Sequence, residues 1–99
     1  MIIVLSSTES PRLTDLERFD RLHAEVHGDI ADARLDTLCR PGGSDHVWLD
    51  VNAARIIGSE VAVDPGFAEQ YDAMIAYAGR SGWLDDAGTH VRAHVQPAD

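Results

Sequence analysis

Ninety-nine residues, 44% of them apolar, make a chain of one domain (1–99), long enough to bury a core without disulfide or metal staples and too apolar for a disordered segment. Seventeen acids against eight arginines, with no lysine, give a formal net charge of −9, which repels phosphate backbones and argues against nucleic-acid binding. The lone Cys39 rules out an intramolecular disulfide and reads as a small core residue rather than a nucleophile.

Met1-Ile2-Ile3-Val4-Leu5 is apolar but runs straight into Ser6-Ser7-Thr8-Glu9. It lacks the basic lead of a signal peptide and is too short to span a bilayer, so the expectation is a soluble cytoplasmic protein without a membrane anchor. The segment Met1–Ser6 reads as a strand apolar on both faces, as a central strand would be. Ser10-Pro11 then reads as the start of a helix over 11–27, with Asp15 and Glu17 near its positive end. Leu16, Phe19, Leu22 and Val26 share one arc, Glu17, Arg18, Arg21 and Glu25 the other, and Gly28 is the stop.

Residues 29–40 admit two readings. Asp29 could cap a helix carrying Ile30, Leu35 and Leu38, or 33–39 could be an edge strand feeding the turn Pro41-Gly42-Gly43-Ser44-Asp45. The Pro-Gly-Gly chemistry favours the strand. From His46 to Val51 the pattern alternates, with Val47, Leu49 and Val51 on one face and His46, Trp48 and Asp50 on the other. Asp50 also caps a short helix over 51–57 that Gly58 ends, and Val61-Ala62-Val63 is an extended connection. Asp64-Pro65 opens a helix near 66–81 in which Phe67, Tyr71, Met74, Ile75 and Ala78 keep helical spacing, with Gly82 as its terminator. Beyond a turn at 85–88, residues 89–96 alternate again, Val91, Ala93 and Val95 against His90, Arg92, His94 and Gln96.

Strand, helix, strand, strand, helix, strand is the order of a ferredoxin-like α+β domain: a βαββαβ antiparallel sheet with two helices on one face and a short helical insertion after the third strand. The first strand would be central. Whichever of its apolar pairs, Ile2 with Val4 or Ile3 with Leu5, faced away from the helices would need a cover. A second copy of the chain, forming a homodimer with a cavity between the sheets, is the simplest one.

No phosphate loop, dinucleotide fingerprint, Cys-x-x-Cys pair, nucleophile elbow or His-Glu-x-x-His motif occurs, and no cofactor is implied. His23-Ala24-Glu25-Val26-His27 mimics the last of these with its glutamate one position late. On a helix Asp20, His23 and His27 lack further ligands, so His23 reads better as partly buried beside Leu16 and Phe19. His90 and His94, roughly 13 Å apart along a strand at about 3.3 Å per residue, do not share one ion, and no metal is expected. The surface that stands out carries Trp48, Asp50, His90, Arg92 and His94, a set suited to a small organic ligand, though alternating polar residues also suit a merely solvated strand. Three functions follow: a small dimeric ligand-binding or accessory protein, a cofactor-independent enzyme using histidine acid–base chemistry with Arg92 as anion anchor, or an acidic partner of a basic protein presenting Glu69, Asp72, Asp85 and Asp86.

Overall fold

The computed structural model describes residues 1–98 as a six-stranded mixed sheet with two helices on one face. The strands are β1 (Ile2–Ser6), β2 (Arg12–Thr14), β3 (His23–His27), β4 (Cys39–Pro41), β5 (His46–Asp50) and β6 (His90–Pro97). Helices α1 (Val51–Val61) and α2 (Phe67–Arg80) lie between β5 and β6 in sequence. Across the sheet the order is β2-β1-β3-β6-β5-β4. β1, β3 and β6 run parallel, while β2 pairs antiparallel with β1, β5 with β6 and β4 with β5.

This overturns the ferredoxin-like expectation. Both central pairings are parallel, no helix separates β1 from β3, and every strand but β6 precedes the helices. The error lies in 11–27, which is not a helix. Leu13 stands opposite Ile3 in the β1–β2 pair, and Asp15 takes a φ of 54°, a left-handed conformation that no α-helix carries through. A strand apolar on both faces has buried backbone groups along both edges, and these must be hydrogen-bonded. β2 and β3 supply the partners on either side of β1. Within His23–His27 the deciding period is two: Ala24 and Val26 are buried while His23, Glu25 and His27 face outward.

The edge reading of 29–40 holds in kind but not in extent. Ile30–Asp32 form a single 3₁₀ turn capped by the Asp29 carboxylate, and the edge strand begins only at Cys39. Between them Ile30, Ala33 and Leu35 pack against the core and Leu38 is buried.

Helix α1 starts where expected, with the Asp50 carboxylate accepting from the Ala53 N–H at 2.9 Å, but it runs through Gly58 to Val61. Gly58 is buried there because a Cβ would meet Phe67 Cζ at 2.4 Å, so the residue marks a close crossing of α1 and α2 rather than a helix end. Helix α2 lies within the expected 66–81, and β6 matches the expected alternation. Among the described residues no helix is long and apolar enough to cross a membrane.

The core fills the helix side of the sheet. Ile3, Leu5, Ala24, Val47, Leu49 and Ala93 are fully buried there with Ala54 and Tyr71, beside the nearly buried Val91 and Phe67. The Tyr71 hydroxyl donates to the Val51 carbonyl at 2.7 Å, so the ring is buried without an orphaned polar atom.

Candidate functional site

Strand alternation sends the polar half of every strand to the other, open face. All five histidines of the chain, at 23, 27, 46, 90 and 94, lie on strands and have the parity of that face. Three of the eight arginines (Arg12, Arg40 and Arg92) are strand residues with the same parity, against only two of the seventeen acids, Glu25 and Asp50. Among the strand residues of the open face arginines thus outnumber acids, the reverse of the chain as a whole.

The register arranges these residues in rows. Arg40, Trp48 and Arg92 are neighbours across β4, β5 and β6. One step along, His46, His94 and His23 are neighbours across β5, β6 and β3, with Ile2 of β1 next to His23. Ile2 and Val4 are only partly exposed, flanked by His23 and Glu25 on one side and Thr14 and Arg12 on the other.

Of the residues singled out from sequence, Trp48, Arg92 and His94 stand together on this face, Trp48 opposite Arg92 and His94 two residues along. Asp50 and His90 are opposite one another at the end of the sheet and are otherwise engaged. Asp50 caps α1 and lies 3.9 Å from His90 Nε2, too far for a hydrogen bond. His90 is buried, its Nδ1 2.8 Å from Thr89 Oγ1 and 3.6 Å from Asp85 Oδ2. Asp85 accepts from the N–H groups of Thr89 and His90 at 2.9 and 3.0 Å, and these bonds hold its carboxyl below the ordinary range. Asp85, Thr89 and His90 thus fasten one turn.

The acidic surface considered for a basic partner is partly spent in the same way. Asp85 belongs to that turn, and Asp72 forms a two-point pair with Arg55 at 2.8 and 3.1 Å.

A hollow of about 650 Å³ escaped the sequence reading. Its walls come from the segment before β3 (Phe19, Leu22), the α2 side chains Met74, Ile75 and Ala78, the aromatic pair Tyr77 and Trp83, and Val91 of β6. It exists because β3 begins only at the level of His94, so the first residues of β6 pair instead with the segment after α2. The Arg92 N–H donates to the Trp83 carbonyl at 2.9 Å. The N-terminal amine fixes the opposite wall, donating to the carbonyls of Arg18 and Arg21. Arg21 and Arg92 line the hollow, and among the described residues neither has a carboxylate within salt-bridge distance, although Arg12, Arg18, Arg34 and Arg55 all do. Arg92 thus belongs to both the open face and the hollow. No contiguous signal announces this site, since its walls are far apart in sequence.

Cys39 is buried on the helix side, and burial pushes its thiol up to about 12, with the Asp50 carboxylate adding to the rise. At pH 8 the thiolate is scarce and shielded. A disulfide reagent such as Ellman's is expected to label native protein at pH 8 far more slowly than protein in denaturant. Prompt stoichiometric labelling of the native state would place this thiol at the surface instead.

Comparison of the chain with protein-family models, with curated proteins and with solved structures found no match.

Proposed function

We propose that this protein binds a small organic anion with an apolar body, the body lying in the hollow beside α2 and the anionic group on Arg92 with help from Arg21. The observation that carries this reading is a pair of arginines with no carboxylate within salt-bridge distance among the described residues, at a largely apolar hollow of about 650 Å³. The one carboxylate lining the hollow, Asp20, is paired with Arg18, and the chain has more than twice as many acids as bases. That volume is in the range of small-molecule sites, and a few polar groups on apolar walls are their usual make-up. Trp48 and His94 flank Arg92 on the open face, outside the walls of the hollow.

An acid–base enzyme has less behind it. His90 is tied into the 85–89 turn, leaving His94 without a carboxylate to orient it among the described residues. A homodimer through the open faces also gains little support, because pairing them would oppose three arginines per copy over an apolar pair already half covered. A reducing, cytoplasmic setting suits a single buried, free cysteine.

The test is a thermal-shift screen of aromatic and aliphatic carboxylates. Arg92→Ala is expected to weaken a hit about ten- to a hundredfold, the worth of a charge-assisted hydrogen bond in a desolvated site. Ala73→Trp, at an exposed α2 position lining the hollow, is expected to block the same hit without disturbing the core. Arg12→Ala, on the far edge of the sheet, should leave it unchanged. A ligand that stabilised all four proteins equally would sink the reading.

A further inference from the structure

We infer that His23, Glu25 and His94 form a binding site for a divalent transition-metal ion of the zinc, nickel or copper type. It shares no residue with the hollow beside α2, and stands or falls separately from the reading given for it.

The starting point is where the histidines are. All five have open-face parity, and β3, β6 and β5 set His23, His94 and His46 side by side. Neighbouring strands are about 4.7–4.9 Å apart, so imidazoles on adjacent strands reach a common ion through bonds of about 2.0–2.1 Å. Two histidines on the same strand, like His90 and His94, are too far apart for this. A carboxylate is already beside the pair: Glu25 Oε1 lies 3.4 Å from His23 Nε2. Two ligands on one tetrahedral ion, each with a bond of about 2.1 Å, are themselves roughly 3.4 Å apart. His23 and Glu25 are thus spaced as two ligands of one ion would be.

The third ligand is His94 rather than His46. His46 is held by its own turn, with Nδ1 2.7 Å from the Asp45 carboxylate and its Nε2 edge packed against Gly42. Its ring also meets Trp48 edge-on. His94 is exposed and makes no side-chain hydrogen bond among the described residues. Among those residues no three candidate ligands converge as they stand, so His94 has to turn toward His23. Exposed side chains change rotamer within nanoseconds, so the turn presents no kinetic obstacle. Two imidazoles and one carboxylate, with remaining positions open to water, select borderline divalent ions over magnesium or calcium, which prefer all-oxygen shells.

The experiment is calorimetric titration of the full chain with Zn²⁺ at pH 7.5, followed by histidine ring resonances in NMR spectra. One ion per chain is expected, shifting the His23 and His94 rings first. His94→Ala and His23→Ala should each weaken binding by at least about tenfold, the scale on which even supporting residues of metal sites act. Glu25→Gln, which keeps the shape and removes the charge, should weaken it as well. His46→Ala and His27→Ala should leave it essentially unchanged, well short of the roughly tenfold loss that marks even a supporting residue. Binding should fade as the pH is lowered to 5.5, because a protonated imidazole cannot ligate. Far-UV circular dichroism checks each variant's fold, and the exposed His94→Ala keeps the test decisive if His23→Ala unfolds. Unchanged Zn²⁺ binding in folded His94→Ala, a larger loss in His46→Ala, or competition by millimolar Mg²⁺ would each overturn the assignment.

Discussion

Leu5→Ala is expected to destabilise the protein by about 2–5 kcal/mol, the cost of emptying a leucine-sized site in a packed core. Leu5 is fully buried on an interior strand, next to Val26 of β3, and the strand is paired with β3 along Ile2–Ser6 and with β2 at its residues 2–4. Such a strand cannot shift to refill the space without breaking its ladders, which favours the upper half of that range. A domain of this size has about 5–15 kcal/mol in total, so the variant sits close to unfolding. Val4→Ala, one residue away on the open face, should cost clearly less, because Val4 is already partly exposed. Urea denaturation reads both. The midpoint should drop strongly for Leu5→Ala at an unchanged slope, and an equal drop for the two variants would mean that both faces of β1 are core.

That comparison bears on what was legible in the chain. Met1–Ser6 reads correctly as a strand, because five consecutive apolar residues leave little else, but the pattern is silent on its partners. Strand β5, helix α2 and strand β6 are equally plain, since the period of two over 46–50 and 90–96 and the period near 3.6 over 67–80 have no rival. Residues 11–27 carry both periods at once. Leu16, Phe19, Leu22 and Val26 fit a helix, while His23–His27 fits a strand with the small Ala24 turned inward. What decides between them is the need of β1 for partners on both edges, a tertiary fact that local spacing does not contain.

The misreading of that one segment also hid much of the chemistry. With 23–27 taken as helix, His23 and Glu25 belong to a different surface from His94; as strand β3 they become its neighbours. The pairing of Trp48 with Arg92 was within reach, because it needs only two correctly phased strands joined by an antiparallel register. The hollow beside α2 was not, because it depends on where β3 starts relative to β6, a difference of a few residues that no composition or period records.

Gly58→Ala is expected to destabilise by about 1–3 kcal/mol, the usual cost of forcing an extra methyl into a filled core. In an exposed helix the same change would stabilise by about 0.8–1 kcal/mol, since alanine is the better helix former. The sign therefore turns on space. A Cβ at 58 would come within 2.4 Å of Phe67 Cζ and 2.8 Å of Cε2, far inside normal contact. A ring tip can sometimes swing aside, but Phe67 is 3% exposed, and its ring centroid lies 5.6 Å from both Phe19 and Tyr71. Swinging it would disturb Tyr71, whose hydroxyl holds the Val51 carbonyl at the start of α1. Helices α1 and α2 would separate instead. A double-mutant cycle checks this: Phe67→Leu alone should cost stability, yet in the Gly58→Ala background it should cost much less, because the shorter side chain makes room for the methyl. If Gly58→Ala proved neutral or stabilising, helix propensity would have won, and the crossing of the two helices would be looser than 2.4 Å implies.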